Sequence, residues 1–477
     1  MADGVNARGA DGTGSAGGGG RTGRSDEDAA RAPGGAPPGA PGSRRGGPAN
    51  VLVLLTDQQR WDTTGVHGNP LGLTPAFDRM AAEGVHVANS FTCQPVCAPS
   101  RAALQTGRYP AQTGVYRNNI PLPEDAPTLA HHFARAGYDT GYIGKWHLAD
   151  TDVAGPVRPA QRGGYRDWLA ANLLEFTSDA YETTLYDGDG RPHELAGYRA
   201  DALTDAAIDY ITRERANPFF LFLSYLEPHH QNQRDDYPAP QGYGERYAGG
   251  WTPGDLAALG GNAAEHLGGY YGMVRRLDEC LGRVLAALEE HGLAEDTVVL
   301  YTSDHGCHFK TRNSEYKRSC HDASIRVPTA LRGPGLATGR PITRLVSHVD
   351  LPPTLLDAAG LPVPPDMHGR SLLPLVCGGA DDRPDDVLVQ ISESQVGRAL
   401  RTPRWKYGVV APDADGWDDP AADEYVDAYL YDLESDPHEL DNLVTAPGAQ
   451  EVIAPLRDRL LARLAETGER PVIRPAR

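Results

Sequence analysis

Four short apolar runs constrain the fold most, because each of them leads directly into polar and ionisable residues. The runs span residues 50–56, 138–143, 218–226 and 297–302, and they are followed by Asp57-Gln58-Gln59-Arg60, Gly144-Lys145-Trp146-His147, Glu227-Pro228-His229-His230 and Ser303-Asp304-His305-Gly306. Runs of this kind are typical of strands buried on both faces of a parallel sheet. Because open α/β sheets bind ligands at the carboxyl ends of their strands, the four clusters predict one shared site.

Helical patterns lie between these runs. Residues 75–83 follow Thr74, a favourable N-cap, and begin with proline, which suits the first position of a helix. A second helix is predicted over residues 99–106. An amphipathic stripe at helical spacing is expected to pack on the sheet, formed by Met273, Leu277, Leu281, Val284, Leu285 and Leu288. The alternation predicts an α/β domain with a doubly wound, mostly parallel sheet flanked by helices.

The composition changes after about residue 374, which divides the chain into three predicted parts. Residues 1–48 are rich in Gly, Ala and Pro and are expected to be a disordered, low-complexity tail. Residues 49–374 are the predicted catalytic domain, and residues 375–477 a smaller C-terminal α+β subdomain. The subdomain's predicted elements are short strands over 387–392, 406–410 and 429–433, and a helix over 451–466 with Val452, Leu456, Leu460 and Leu464 on one face.

Charge and hydropathy exclude several classes of protein. The 477 residues carry a formal net charge of −19, which argues against binding nucleic acid through bulk positive charge. No apolar run approaches the roughly 20 residues that span a bilayer. No signal-peptide pattern is present, so we expect a cytoplasmic protein without membrane contact. The six cysteines form no dense framework that would predict structural disulfides.

The run Cys97-Ala98-Pro99-Ser100-Arg101 is the most informative motif, and it lies in a block that ends with Thr106-Gly107-Arg108. A buried cysteine before a helix is the simpler interpretation of the five residues alone. The chain resembles the type I, formylglycine-dependent sulfatases of the alkaline-phosphatase-like superfamily. The resemblance lies in the whole block around Cys97, in Asp304-His305-Gly306 and in residues 430–443. The resemblance covers about residues 49–442.

The resemblance implies a modified nucleophile at position 97. A formylglycine-generating enzyme would oxidise Cys97 to an aldehyde, which hydrates to a geminal diol. One hydroxyl attacks the sulfur of a sulfate ester, and the other lets the covalent intermediate collapse with release of sulfate. The predicted helix directly after Cys97 would favour negative charge at this point.

The resemblance also implies one divalent metal ion. Its expected ligands are Asp57, Gln58, Asp304, His305 and the modified Cys97. Oxygen-rich sites suit hard cations, and calcium is the expected metal. Because Gln58 stands where a second aspartate is commoner, the site has one negative charge fewer, and manganese or magnesium are alternatives.

The remaining predicted site residues handle the anion and the proton. Arg101 lies one turn beyond Cys97 and is expected to be catalytic, as is His147, while the resemblance makes Lys145 and Lys317 the lysines that bind the sulfate group. His229 is preferred over His230 as the acid that protonates the leaving alcohol, a role that suits histidine at neutral pH. Asn118 resembles an asparagine that contacts substrate.

The predicted function is hydrolysis of a sulfate ester to an alcohol and inorganic sulfate. A phosphonate or phosphate ester hydrolase of the same superfamily is the nearest alternative, although such enzymes generally lack the Lys145-Trp146-His147 group. A zinc-binding module built from Cys307, His308, Cys320 and His321 is a second alternative. A scaffold in which Cys97 remains a thiol is a third. The alcohol, a small molecule or a carbohydrate, and the oligomeric state are not predicted.

Overall fold

A ten-stranded sheet forms the centre of the computed structural model, which describes residues 48–337, 339–379 and 381–476. Its strands run in the order β10-β2-β9-β8-β1-β7-β3-β4-β5-β6. Their bounds are β1 Asn50–Thr56, β2 Val85–Phe91, β3 Asp139–Lys145, β4 Asp167–Ala171, β5 Thr183–Asp187, β6 Pro192–Leu195, β7 Phe219–Ser224, β8 Thr297–Ser303, β9 Thr329–Arg332 and β10 Ile342–Ser347. The central strands β8, β1, β7, β3 and β4 pair in parallel, whereas β9 and the β5–β6 edge pair antiparallel.

Helices cover both faces of this sheet, because successive side chains of β1 point to opposite faces and nearly all of them are apolar. Val51, Val53 and Leu55 contribute to one core cluster, while Leu52 and Leu54 contribute to the other. The predicted stripe from Met273 to Leu288 is buried on α9. The helices are α1 Pro75–Glu83, α2 Cys97–Thr106, α3 Pro110–Thr113, α4 Leu129–Arg135, α5 Leu174–Thr177, α6 Arg199–Ile211, α7 Tyr243–Tyr247, α8 Gly254–Leu259, α9 Ala263–Glu290, α10 Asp322–Ile325, α11 Leu351–Ala358, α12 Leu373–Val376 and α13 Ala449–Glu466.

A second, five-stranded sheet follows towards the C-terminus. Its strands, in spatial order, are β11 Val387–Ile391, β12 Val396–Arg401, β13 Trp405–Ala411, β14 Glu424–Asp432 and β15 Val472–Arg474. Helix α13 packs on this sheet through Ile453, Leu456, Leu460 and Leu464. Ile453 therefore takes the central place that was predicted for Val452, which is only half-buried. The domain boundary near residue 374 stays a prediction.

The predicted elements agree with the structure to within a few residues in most places. Residues 50–56 and 75–83 match β1 and α1, whereas α2 begins at Cys97 instead of at residue 99. Strand β12 was not predicted, and β14 begins at Glu424 rather than at residue 429.

The predicted tail lies outside the described residues, except for Pro48. Within the described part of the chain, no helix has the length and apolarity needed to cross a bilayer. The doubly wound sheet with a smaller C-terminal sheet confirms the predicted fold class.

Candidate active site

The carboxyl ends of β1, β3, β7 and β8 bring most of the predicted site residues into one buried cluster. Asp57, Cys97, Asp304 and His305 each place a potential ligand atom within 4.8 Å of the others. Lys145, His229 and Lys317 border the same cluster and are almost fully buried. Gly144 allows β3 to approach β7 just before Lys145, since it has a φ of +104° and a Cβ there would lie 1.9 Å from the Ser224 carbonyl oxygen.

Cys97 is the first residue of α2 and the centre of this cluster. Its Sγ lies 2.9 Å from Lys317 Nζ, 3.3 Å from His305 Nε2 and 4.0 Å from Lys145 Nζ. Burial acts to raise the pKa of the Cys97 thiol, but the positive charges of Lys145 and Lys317 outweigh it and hold that pKa well below its usual value. The surroundings of position 97 are therefore built to stabilise an anion.

Two buried carboxylates, Asp57 and Asp304, lie beside Cys97 and share the guanidinium of Arg101. Arg101 Nη2 is 2.9 Å from Asp57 Oδ2 and 3.2 Å from Asp304 Oδ2. Asp57 also accepts a hydrogen bond from Lys145 Nζ at 2.8 Å. Burial and Cys97 act to raise the pKa of Asp57, yet Lys145, together with Arg101, keeps it far below its usual value. Arg101, predicted as part of the anion clamp, mainly holds these carboxylates.

Gln58 and His305 lie next to the carboxylates, and each carries an acceptor that could bind a metal ion. The backbone of Gln58 has a φ of +70°, and its N–H donates to Asp304 Oδ1 at 3.1 Å. Its Nε2 donates to the hydroxyl of Tyr237 at 3.1 Å, while its buried Oε1 has no hydrogen-bond partner among the described residues. His305 Nδ1 donates to the Gly306 carbonyl at 2.9 Å, so its Nε2 faces the cluster as an acceptor.

This donor set fits a divalent cation. An unsatisfied amide oxygen, two carboxylates and an imidazole nitrogen are chemically suited to bind such an ion. An orphaned buried acceptor is rare in folded proteins and calls for a partner. Asp57, Gln58, Asp304 and His305 are therefore the residues that would hold the metal.

Lys145 connects the cluster to a carboxylate that the sequence did not reveal. Its Nζ lies 3.1 Å from Glu175 Oε1, and the Glu175 side chain is 4% exposed. Burial acts to raise the pKa of Glu175, but the charge of Lys145 lowers it below its usual value. His147, in the left-handed backbone region at φ +59°, places Nδ1 3.9 Å from the same Glu175 oxygen. Glu175 thus pairs with Lys145 and lies near His147, whose Nδ1 makes no hydrogen bond among the described residues.

Lys317 and His229 meet on the other side of Cys97. Lys317 Nζ is 3.3 Å from His229 Nε2, and His229 Nδ1 donates to the His230 carbonyl at 2.7 Å. Burial, followed by the charge of Lys317, lowers the pKa of His229 below its usual value. His229, rather than His230, therefore has its ring nitrogen directed at Lys317 next to Cys97.

Asn118 lies beside the cluster, where its Oδ1 accepts the N–H of Ala98 at 3.0 Å. That bond satisfies one free donor at the N-terminus of α2. Its role as a substrate contact stays a prediction.

The four residues proposed as a zinc module serve separate contacts. His308 Nε2 donates to the Lys317 carbonyl at 2.9 Å, and His321 Nε2 lies 3.1 Å from the Tyr431 hydroxyl. Cys307 Sγ lies 3.7 Å from Gln58 Nε2. In the described part of the chain these residues form no shared ligand group, whereas Asp57, Cys97, Asp304 and His305 do. The zinc alternative is therefore wrong for this structure.

A family model for sulfatases matches residues 49–361, and a model for the C-terminal part of N-sulphoglucosamine sulphohydrolase matches residues 314–466. An ulvan-active sulfatase from Formosa agariphila is 29% identical over 437 residues, covering 88% of this chain and 82% of the relative. A protein solved with its substrate D-glucosamine-2-N,6-O-disulfate has a TM-score of 0.72 at 22% identity, covering 88% of this chain and 98% of the other. Phosphonate monoester hydrolase from Agrobacterium radiobacter has a TM-score of 0.67 at 23% identity, covering 88% and 96%.

The fold and the site define a hydrolase of the alkaline-phosphatase-like superfamily, with a nucleophile position, paired carboxylates and lysines at the carboxyl end of a parallel sheet. The two structural likenesses show this fold. The matched family model covers most of the chain, and the chain belongs to the sulfatase family. It is a sulfuric ester hydrolase.

Proposed function

We propose that this hydrolase uses a formylglycine made from Cys97 and a bound calcium ion to cleave the sulfate ester of a carbohydrate. The observation that carries the proposal is the position of Cys97 Sγ, 2.9 Å from the Lys317 ammonium and next to the paired carboxylates. The sulfur atom marks the place that the oxygens of the modified residue would occupy. A thiol alone has no exit step for a bound sulfo group, whereas a hydrated aldehyde provides one.

Asp57, Gln58, Asp304 and His305 would hold the metal ion. When bound, the ion lowers the pKa of an adjacent hydroxyl and neutralises negative charge as it develops. Arg101 orients both carboxylates through contacts of 2.9 and 3.2 Å. Calcium is our first choice, and manganese or magnesium are the alternatives to compare with it.

Lys145 and Lys317 lie on either side of position 97 and would bind the oxygens of the sulfate group. Fixed cations placed where charge develops stabilise the transition state more than the free substrate. As the bond between sulfur and the ester oxygen breaks, His229 Nε2 would give its proton to the departing oxygen. The His230 carbonyl accepts the Nδ1 proton of His229, so Nε2 of the neutral ring is an acceptor and must be protonated before it can act as the acid. The Lys317 ammonium, 3.3 Å away, would supply that proton to Nε2.

Carbohydrate sulfates are the proposed substrate class, because a relative that is 29% identical is an ulvan-active sulfatase. The phosphonate monoester hydrolase shares the fold at 23% identity, which carries no argument for its substrate. Lys145 and His147, the pair that such hydrolases generally lack, both contact Glu175 beside the nucleophile here. This pair favours the sulfate ester.

The test begins with the mass of the tryptic peptide over residues 80–101 from protein made together with a formylglycine-generating enzyme. Conversion of Cys97 lowers the mass by about 18 Da, or leaves it near the original value when the aldehyde is hydrated. Reduction with borohydride separates the hydrated aldehyde from the unmodified thiol. Modified protein should hydrolyse nitrophenyl sulfate faster than bis-nitrophenyl phosphate. Cys97→Ala should lose turnover and keep its thermal unfolding temperature, and wild-type turnover in that variant would refute the nucleophile.

A further inference from the structure

A turn of the second sheet reaches the active site. The turn joins β11 to β12 and comprises Ser392, Glu393 and Ser394. The Ser392 hydroxyl accepts a hydrogen bond from Gln94 Nε2 at 2.7 Å, three residues before Cys97. The Ser394 hydroxyl donates to the Arg318 carbonyl at 2.7 Å, one residue after Lys317. The turn therefore contacts the segments that carry the nucleophile position and the second lysine.

Glu393 lies at the centre of this turn, and its carboxylate bridges two loops. One oxygen accepts the backbone N–H of Asn118 at 2.7 Å, and the other accepts Arg318 Nε at 2.5 Å. The Glu393 side chain is 3% exposed, so this charge is almost removed from water. A buried carboxylate that accepts one hydrogen bond from a backbone N–H and one from a guanidinium is held firmly in place.

Both hydrogen-bond partners of Glu393 belong to segments that contact position 97 or its neighbour. Asn118 uses its side chain to bind the Ala98 N–H, directly after Cys97. Arg318 follows Lys317, whose Nζ lies 2.9 Å from Cys97 Sγ. Arg318 has a φ of +67°, a conformation that a residue with a side chain keeps only when its surroundings hold it.

We propose that Glu393 is a positioning residue that sets the affinity of the site for sulfate. By holding the Arg318 guanidinium, it fixes the peptide that carries Lys317 and keeps the Lys317 ammonium against position 97. The inference rests on the proposed function, because it assumes that Lys317 binds the sulfate group. The C-terminal sheet thereby takes part in substrate binding through a residue that touches no substrate.

Glu315 provides a matched control. Its Oε2 pairs with Nη1 of the same Arg318 at 2.8 Å, but its side chain is 54% exposed. Exposed ion pairs contribute little to stability, whereas loss of one partner of a buried ion pair is strongly destabilising. In Glu393→Gln the shape is kept and an oxygen can still accept from Asn118. The new amide, however, places N–H groups against Arg318 Nε–H, which is also a donor.

The experiment compares Glu393→Gln, Glu315→Gln, Lys317→Ala and the double variant Lys317→Ala/Glu393→Gln in the full, modified chain. Formylglycine content is first checked by peptide mass in each preparation. The readouts are the inhibition constant of inorganic sulfate and KM and kcat for nitrophenyl sulfate. We expect Glu393→Gln to raise the inhibition constant about tenfold, as for a lost charge-assisted hydrogen bond, and Glu315→Gln to change it less than twofold.

The double variant separates positioning from a general loss of structure. If Glu393 acts through Lys317, adding Glu393→Gln to Lys317→Ala should leave the inhibition constant unchanged. The inference is overturned if Glu393→Gln matches wild type, if both glutamate variants behave alike, or if the two effects add in full. If Lys317→Ala alone binds sulfate normally, the role of Lys317 in the proposed function fails, and the inference fails with it. If Glu393→Gln does not fold, Ser394→Ala replaces it; an unchanged inhibition constant in that variant overturns the inference.

Discussion

Tyr237→Phe should weaken cation binding at the carboxylate cluster, although Tyr237 is no ligand. Its hydroxyl accepts the Gln58 Nε2–H at 3.1 Å and so fixes the amide, whose Oε1 has no hydrogen-bond partner among the described residues and is the proposed metal ligand. Other acceptors near Nε2 are more distant, with His230 Nδ1 at 3.5 Å and Cys307 Sγ at 3.7 Å. Phenylalanine keeps the ring and removes only the acceptor.

The magnitude follows from the cost of one buried hydrogen bond. A neutral pair contributes about 1 kcal/mol, and an unsatisfied buried donor costs about 1–3 kcal/mol. Since His230 and Cys307 would partly replace the lost acceptor, the lower value applies. About 1 kcal/mol corresponds to roughly a fivefold increase in the calcium Kd. The free energy of unfolding without metal should fall by a similar amount.

The assay titrates calcium into chelated, dialysed protein by isothermal calorimetry and by the rise in unfolding temperature. Tyr271→Phe is the control, because Tyr271 is also buried and its hydroxyl donates to the Trp251 carbonyl at 3.1 Å instead of contacting Gln58. Its calcium Kd should equal that of wild type. An unchanged Kd in Tyr237→Phe, or an equal loss in both variants, would refute the orienting role.

Two further predictions concern the proton and the buried charges. His229→Ala should reduce kcat for sulfates of poorly leaving alcohols by about 10²–10⁴-fold. It should affect nitrophenyl sulfate much less, because nitrophenol needs little protonation to leave. Equal losses of kcat for both substrates in steady-state assays would argue against His229 as the acid. Lys145→Met should lower the free energy of unfolding by about 3–5 kcal/mol, since Asp57 and Glu175 lose a buried partner at 2.8 and 3.1 Å. Urea denaturation measures this loss, and wild-type stability would contradict it.

The site was predictable where it depends on strand ends, and unpredictable where it depends on loops. Asp57, Lys145, His229 and Asp304 follow apolar runs directly, so the period of the strands places them at one edge of the sheet. Glu175 comes from a segment between β4 and β5 whose composition gives no signal, and only the folded chain brings it to Lys145. The same holds for β12, whose residues alternate too weakly in hydropathy to predict a strand.

Glu393 is the clearest case of a non-local contribution. The predicted subdomain contained residue 393, yet nothing in residues 387–401 indicates a contact with Asn118 or Arg318. Side-chain contacts between distant segments depend on the docking of two sheets, which local patterns do not encode. Spacing therefore predicted the residues proposed to react better than the residues proposed to position them.

The balance of charge in the cluster explains how a chain with a net charge of −19 can bind an anion. Three buried carboxylates face three buried cations, namely Asp57, Glu175 and Asp304 against Arg101, Lys145 and Lys317. These charges offset one another in number, although the ammonium groups of Lys317 and Lys145 lie 2.9 and 4.0 Å from Cys97 Sγ. A divalent cation on Asp57, Gln58, Asp304 and His305 would add two positive charges, in a buried place where solvent screens them weakly. Anion binding would then depend on the two lysines and the metal and not on the overall charge of the protein.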